Sequence, residues 1–474
     1  MDQNKIVLKR ELNLLDATLL VAGSMIGSGI FIVTADITRH TGSAGWLIVV
    51  WLIGGFMTLT AALSYGELSG MYPQAGGQYV YLKEAYNPLV SFLYGWSLFT
   101  VIQTGTIAAV GVSFSKFLAY FIPSLSEDLR LFSIGSFHVS PAQVVSIVLI
   151  FFLTWINTRG VKQSKLIQTV FTLTKILSIA ALIVFGFIFF KNDVWAANWH
   201  HAFNLQQINS DGSLTAYANK PALWGAIASA LVGAIISYDA WNNVTFVAGE
   251  INNPKKNIGL SLLLGTFIVT ALYVLLNIMF VAVLPLHDIA TAPKDRVGIE
   301  AAHSIFGNSG TAIIAIMIMV ATFGCNNGLI LSGARVYYSM AKDGFFFKKT
   351  GVLNKNAVPE FALWIQAAMA AVLCLSGRYG DLLDMISFVV VLFYILTIFS
   401  IYILRIKKPD IERPYKAIGY PLLPAIYILM GTAFCVLLII YKPHFTWPGL
   451  IIALAGIPVF YLLEQSKKKE KVTQ

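Results

Sequence analysis

Long apolar stretches recur along almost the whole chain, and they constrain the fold more than any other feature. Each is about 20 residues long, enough to cross a hydrocarbon core of about 30 Å as a helix. Hydrophobic residues make up 57% of the 474 residues and charged residues only 12%. A soluble fold would lack the polar surface to cover such a chain. The pattern predicts an all-α integral membrane protein with about twelve transmembrane helices.

The expected spans are separated by short polar segments. They are 14–37, 45–68, 89–121, 142–155, 166–190, 223–248, 258–284, 311–340, 361–375, 386–404, 422–440 and 447–463. The first follows a short basic segment without a cleavage pattern of small residues, so a retained helix is expected instead of a signal peptide. With the N-terminus in the cytoplasm, most lysines and arginines fall on the cytoplasmic side. This bias predicts a multi-pass protein of the cell membrane with both termini cytoplasmic, and the net charge of +10 requires no nucleic acid partner.

The order of the spans predicts an internal repeat. If helices 1 to 5 and helices 6 to 10 are equivalent units, each unit has an odd number of spans. The second unit therefore begins on the opposite side of the membrane, which gives a five-plus-five inverted repeat. The expected parts are an N-terminal tail at 1–12, the first repeat at 13–190, an external loop at 191–221, the second repeat at 222–405, helices 11 and 12 at 406–464, and a C-terminal tail at 465–474.

The first helix of each repeat carries an interruption. Residues 23–29 read Gly-Ser-Met-Ile-Gly-Ser-Gly, and residues 237–243 read Ser-Tyr-Asp-Ala-Trp-Asn-Asn. Each glycine inside a helix costs about 1 kcal/mol, and a backbone polar group freed in lipid costs several more. Such a segment persists beside a cavity or a ligand. Corresponding breaks in two repeats indicate a substrate site at the membrane midplane.

An unwound helix offers two kinds of backbone group. The amides that start the following half-helix suit a carboxylate, and the carbonyls that end the preceding half-helix suit an ammonium group. Together they fit a zwitterionic amino acid. The alternative is close helix packing through the spacing of Gly23 and Gly27. The matching break in helix 6 favours binding, because two packing motifs need not fall at equivalent positions.

Short motifs on helices 1, 6 and 8 resemble one transporter family. They are Gly27-Ser28-Gly29-Ile30-Phe31, then Tyr238-Asp239-Ala240-Trp241 with Gly249-Glu250 and Asn253-Pro254, and Gly324-Cys325-Asn326-Asn327-Gly328. In this order they resemble the amino acid–polyamine–organocation superfamily, and within it the prokaryotic L-type amino acid transporters and serine/threonine exchangers. The resemblance covers essentially the whole chain and implies the inverted-repeat fold with two added helices.

The resemblance also implies where the substrate binds. The residues expected to form the site lie at the two breaks: Met25, Gly27, Ser28, Gly29, Ile236, Asp239, Trp241 and Asn242. The amides of Ser28 and Gly29 would bind the carboxylate, while the carbonyls of Met25, Ile236 and Asp239 would receive the ammonium group.

The chain departs from the family pattern at two positions in helix 6. Relatives often place an aromatic gate at the position of Ile236, and they more usually have glycine at the position of Ala240. The presence of an aromatic gate and the shape of the side-chain pocket therefore stay open.

Two charged residues lie deep within expected spans. Lys175 is about ten residues into helix 5, roughly 15 Å deep, where a charge is a functional candidate. A lysine there resembles the family's fixed replacement for a coupling sodium, bracing helix 1 against helix 8 with Ser332 as a partner. Proton coupling and a structural cation bonded to carbonyls are alternatives. Asp239 could bind the ammonium group, but capping of the half-helix through Trp241 and Asn242 is favoured.

The remaining signals are weaker. Trp241 and Asn242 could line the pocket or serve interhelical packing. Glu67 and Glu250, near helix ends, are interpreted as hydrated structural groups. The three cysteines Cys325, Cys374 and Cys435 lie within spans, so no metal, no cofactor and no disulfide-linked accessory subunit is expected.

The sequence therefore predicts a secondary active transporter of amino acids, neutral L-amino acids first, that works by alternating access. Exchange and proton-coupled symport both fit, so protons are an open partner beside the amino acid and the lipid bilayer. Cationic amino acids or polyamines are the alternative substrates. A channel is less favoured because it would need a polar pore-lining repeat. An enzyme is not expected, since no HExxH pair, paired catalytic carboxylates or nucleophile elbow occurs in the spans. Direct ATP drive is not expected either, since no Walker A loop is present.

Overall fold

The computed structural model describes residues 7–134, 137–376 and 379–472. Within this part of the chain the apolar stretches form helices. Within these residues ten helices are long and apolar enough to cross a membrane, and the bent pair Leu14–Met25 and Gly29–Thr41 makes an eleventh span. The shorter apolar helix Glu360–Ser376 occupies the ninth expected span. The predicted all-α membrane fold is confirmed. Residues 1–6 and 473–474 of the expected tails lie outside the described residues.

The elements up to residue 199 build the first five spans. They are α1 Leu14–Met25, α2 Gly29–Thr41, α3 Ala44–Met71, α4 Gln78–Ala85, α5 Pro88–Ser97, α6 Gln103–Phe121, β1 Phe132–Ile134, β2 Phe137–Val139, α7 Pro141–Thr158, α8 Val161–Ile188 and α9 Asn192–Trp199. A π-helical stretch, Leu98–Ile102, joins α5 to α6 in one span. The strands β1 and β2 pair antiparallel in a loop.

The remaining elements build the other seven spans. They are β3 Gln206–Ile208, β4 Leu214–Ala216, α10 Lys220–Ser237, α11 Asn243–Phe246, α12 Pro254–Val283, α13 Leu286–Ala290, α14 Val297–Phe306, α15 Asn308–Lys342, α16 Glu360–Ser376, α17 Tyr379–Lys407, α18 Leu422–Tyr441, α19 Pro443–Leu454 and α20 Gly456–Val472. The strands β3 and β4 form a second antiparallel hairpin in the loop before α10.

The first halves of the two broken helices both start at side-chain caps. α1 begins with a capping box, in which the side chains of Asn13 and Asp16 each accept the other's backbone N–H at 2.9 Å. It ends because Ile26 is extended, with φ −76° and ψ 94°. The side chain of Asn219 caps α10, which ends at Ser237.

Helices at corresponding positions of the two predicted repeats pack against each other. Helix α3 packs on α12, α6 on α15, and α7 on α16, which pairs spans 2 with 7, 3 with 8 and 4 with 9. The broken helices follow the same rule, since α2 packs along α10 and α1 contacts α11. This arrangement brings the two breaks together.

Two glutamates near helix ends are buried, so their interpretation as hydrated groups was wrong. Glu250 and Arg335 are both 0% exposed, and their charged groups lie 3.0 Å apart. Glu67 accepts hydrogen bonds from Arg405 at 2.7 Å and from the Ala417 N–H at 2.7 Å. A buried charge is costly unless it is paired. Arg335 and Arg405 come from other parts of the sequence, and their pairing with these carboxylates explains how the interior accommodates them.

Candidate functional site

The breaks in the first and sixth spans lie directly against each other. The axis bends by 41° between α1 and α2. Between α10 and α11 the chain turns at Ala240, whose φ of 66° is left-handed. A Cβ built on Gly29 would lie 2.7 Å from the Ser237 Oγ, so glycine is what lets the start of α2 approach the end of α10. The predicted pair of broken helices is confirmed.

A cavity lies between the two breaks, and we call it the break cavity. It measures about 40 Å³, room for a few water molecules. Six of the expected site residues line it: Met25, Gly27, Ser28, Gly29, Ile236 and Asp239. The other wall residues are Ser24, Thr106, Ala109, Val110, Ser237, Ala240 and Cys325. Its walls therefore come from spans 1, 3, 6 and 8.

The start of α2 presents unpaired backbone donors at the break cavity. The N–H groups of Ser28 and Gly29 donate to no other group in the described chain, and the Ser28 hydroxyl has no partner there either. α2 is 13 residues long, so the positive end of its dipole lies at these amides. Free amides at a helix N-terminus suit an anion such as a carboxylate.

The oxygen atoms expected to accept hydrogen bonds from an ammonium group differ in how many hydrogen bonds they already accept. The Met25 carbonyl accepts the Gly27 N–H at 2.9 Å and the Tyr273 hydroxyl at 3.0 Å. These donors occupy both of its lone pairs, so an ammonium group would have to displace one of them. The Ile236 carbonyl accepts the Asp239 N–H at 3.1 Å. Asp239 supplies the only carboxylate among the residues that line the break cavity.

Asp239 does not cap the restarted helix, so that interpretation was wrong. Helix α11 begins at Asn243, and the cap position belongs to Asn242. The Asp239 carboxylate instead accepts the Tyr394 hydroxyl at 2.5 Å. This bond holds the carboxylate between span 6 and span 10, beside the break cavity.

A second cavity adjoins the break cavity, and we call it the polar cavity. The two share the wall residues Thr106, Asp239 and Ala240. Asn242 lines only the polar cavity, where its Nδ2 donates to the Gln78 Oε1 at 3.0 Å and its Oδ1 accepts the Tyr394 hydroxyl at 3.3 Å. Asn242 therefore ties span 6 to the short helix α4 and to span 10.

Trp241 packs beside the two cavities and lines neither of them. Its ring lies edge-on to Tyr65, with centroids 4.7 Å apart, and 5.2 Å from the Tyr394 ring. This aromatic cluster matches the interhelical packing alternative. A direct role of Trp241 in binding stays a prediction.

Lys175 reaches the break in helix 1 from the middle of α8. Its Nζ donates to the carbonyls of Gly23 at 2.5 Å and Ile26 at 2.8 Å, and its side chain is 1% exposed. Helix α15 passes this amine at Gly324, where a built Cβ would lie 3.8 Å from the Nζ. Ser332 lies farther along α15 and donates to the Gly328 and Leu329 carbonyls of its own helix. The contact with helix 1 is therefore made without Ser332.

Several wall residues of these cavities were not predicted from the sequence. Thr106 and Val110 come from span 3, where the polar run 103–106 was the available signal. Cys325 was assigned to ordinary packing, yet its Sγ–H donates to the Ser24 carbonyl at 3.0 Å and it lines the break cavity. Tyr394 had no local signal, because an isolated tyrosine in an apolar span is commonplace.

Known proteins match this chain over nearly its whole length. A family model described as "Amino acid permease" matches residues 12–461. The serine/threonine exchanger SteT of Bacillus subtilis (strain 168) is 30% identical over 465 residues, covering 97% of this chain and 98% of the relative. The Asc-type amino acid transporter 1 of Mus musculus is 27% identical, covering 97% and 82%. The large neutral amino acids transporter small subunit 2 of Homo sapiens is 28% identical, covering 96% and 81%.

Proposed function

Because the chain belongs to the amino acid permease family, we propose that it is a secondary active transporter of amino acids that binds its substrate in the break cavity. The observation that carries this proposal is the chemistry of that cavity. Unpaired amides of Ser28 and Gly29 form one part of its wall, and the Asp239 carboxylate forms another. One cavity thus offers donors for a carboxylate and an acceptor for an ammonium group.

The binding mode follows from which groups are free. The substrate carboxylate accepts hydrogen bonds from the Ser28 and Gly29 amides, aided by the dipole of α2. The ammonium group lies against the Asp239 carboxylate and the Ile236 carbonyl. The Met25 carbonyl joins them when the Tyr273 hydroxyl moves away from it.

Neutral L-amino acids with short side chains are the proposed substrates, with serine and threonine first. The small volume of the break cavity supports a short substrate. The name of the Bacillus subtilis relative, a serine/threonine exchanger, supports the same choice. A cationic substrate is the second candidate, because Asp239 places a carboxylate at both cavities.

Alternating access would require contacts on each side of the break cavity to open in turn. In the last turn of α2, Arg39 donates to Asp295 at 2.8 Å and joins helix 1 to the loop before α14. On the other side, the Glu250 carbonyl accepts the backbone N–H groups of Glu11 and Leu12 at 2.9 and 3.0 Å. We assign the second side, with both chain termini, to the cytoplasm of a cell-membrane protein.

The three cysteines are buried, so the proposal includes no disulfide-linked accessory subunit.

The proposed function is tested by uptake into vesicles that contain the purified protein. Radiolabelled amino acids are supplied outside, and unlabelled serine is either present or absent inside. We expect saturable, stereospecific uptake of serine and threonine, accelerated by internal serine if the protein is an exchanger. Non-saturable flux would indicate a channel, and preferential uptake of lysine or a polyamine would favour the second candidate.

Ala240 provides a prediction about the geometry of the site. A left-handed L-residue costs about 1–2 kcal/mol relative to the right-handed form, and a β-branched side chain is disfavoured further. We expect Ala240→Gly to keep serine uptake and to raise the melting temperature of the purified protein slightly. Ala240→Val is expected to lower both uptake and melting temperature. A valine variant as stable and active as the parent would contradict the strain at this position.

A further inference from the structure

The polar cavity is lined largely by hydrogen-bonding side chains, although it lies within the membrane-spanning bundle. Most of these groups are bonded to the protein itself. The Gln103 Nε2 donates to the Leu329 carbonyl at 2.7 Å, and the Gln78 Nε2 donates to the Phe393 carbonyl at 3.1 Å. The Thr106 hydroxyl donates to its own helix. These side chains build the wall and have little capacity left for a ligand.

Asn243 is the exception among the amide side chains of this wall. It is the first residue of α11 and is 1% exposed, and its Nδ2 donates to no group in the described chain. A buried amide donor without a partner is unfavourable, and among the described amide side chains that line the polar cavity only Asn243 has one. It would be explained if a substrate group supplied the missing partner.

The polar cavity is also the space into which a substrate in the break cavity could extend. The two cavities share the wall residues Thr106, Asp239 and Ala240. A substrate whose head groups lie at the α2 amides and Asp239 can point its side chain past Ala240. On the far side, Tyr94, Leu98 and Phe246 bound the space. The polar cavity measures about 10 Å³, room for about one water-sized group, so only a group as small as a hydroxyl fits without displacing these bulky residues.

We propose that the polar cavity is the side-chain subsite and that Asn243 is a specificity-determining residue that selects a short side chain bearing a hydroxyl group. The Asn243 Nδ2 donates to the substrate hydroxyl oxygen. The hydroxyl in turn donates to the Asp239 carboxylate, which lies at the boundary between the cavities. The inference rests on the proposed function, because it assumes that the substrate's head groups occupy the break cavity.

Isosteric substrate pairs test the subsite without changing substrate size. Serine and 2-aminobutyrate differ by a hydroxyl in place of a methyl group, and threonine and valine differ in the same way. A buried site that bonds a hydroxyl discriminates against the analogue lacking it. We expect the parent protein to take up serine at least about tenfold more efficiently than 2-aminobutyrate. The reason is that 2-aminobutyrate has no hydroxyl group and leaves the buried Asn243 amide unpaired. A preference below about twofold would overturn the proposal.

The substitution Asn243→Leu keeps the branched shape and the number of heavy atoms of the side chain and removes the donor. We expect it to bring the serine to 2-aminobutyrate ratio to about threefold or less, mainly by raising the KM for serine. Asn326→Leu is the matched control, because Asn326 is also fully buried, has both amide atoms unpaired and lines neither cavity. Its ratio should equal that of the parent.

The possible failures of this experiment are distinguishable. An unchanged ratio in Asn243→Leu would overturn the role of Asn243 while leaving the proposed amino acid site intact. Competition by ornithine stronger than that by serine would overturn the hydroxyl assignment and favour a salt bridge to Asp239. If the parent protein bound no amino acid at all, the proposed function itself would fail. If Asn243→Leu did not fold, the isosteric ratios of the parent protein would still decide whether the site selects a hydroxyl group.

Discussion

Replacing Gly29 with valine is expected to reduce serine uptake to the level of empty vesicles. A Cβ at this position would lie 2.7 Å from the Oγ and 3.3 Å from the Cβ of Ser237. The Ser237 hydroxyl could rotate away from a single methyl group, but the branched side chain of valine would also meet the backbone of α10. The two breaks would have to separate, and the amides of Ser28 and Gly29 would lose their position relative to Asp239.

The control for this prediction is a glycine with space around it. A Cβ built on Gly70, in α3, would have its nearest neighbour at 3.5 Å, an ordinary contact. We expect Gly70→Ala to transport like the parent, Gly29→Ala to be impaired and Gly29→Val to be inactive although inserted in the membrane. Uptake is measured as an initial rate per amount of folded protein. Normal transport by Gly29→Val would remove the basis for placing the substrate between the breaks.

Replacing Lys175 with methionine is expected to have the second-largest effect. The substitution preserves much of the side-chain volume but leaves the carbonyls of Gly23 and Ile26 without their donor. Each unpaired carbonyl in the buried interior costs about 1–3 kcal/mol. We expect the break in helix 1 to rearrange, uptake to fall by at least about tenfold, and the melting temperature of the purified protein to fall as well.

Lys165 in the same helix is the matched control. It is partly exposed, and the buried Asp16 carboxylate that it contacts at 2.6 Å keeps the Asn13 N–H as a donor, so Lys165→Met should have a smaller effect on uptake. A Lys175→Met variant that transports like the parent would contradict the bracing role.

A separate measurement addresses coupling: an imposed inward proton gradient should drive accumulation without internal substrate only if the protein is a proton symporter. Exchange that ignores the gradient would leave Lys175 with the bracing role alone.

The fold and the place of the breaks were predictable because their causes are local. The length of each apolar stretch predicts a membrane span. The three glycines of residues 23–29 mark where continuing the helix is energetically unfavourable. The depth of Lys175 in span 5 identified a buried charge in the same way. None of these inferences required knowing how the helices are rotated.

The details of the site depend on that rotation and could not be predicted. Asp239 looked like a helix cap because its local sequence allows one, yet its partner is Tyr394, which is 155 positions away. Glu250 looked hydrated because it lies near a helix end, yet Arg335 pairs with it from 85 positions away. Such partners become visible only when the helix faces are known.

The most direct test of the account is a structure of the protein determined with serine bound. We predict density for the amino acid between the two breaks, with its carboxylate within about 3 Å of the Ser28 and Gly29 amide nitrogens and its ammonium group against Asp239. The side chain should point past Ala240 toward Asn243. Serine bound elsewhere, or bound with its ammonium group at the start of α2, would contradict the proposed site.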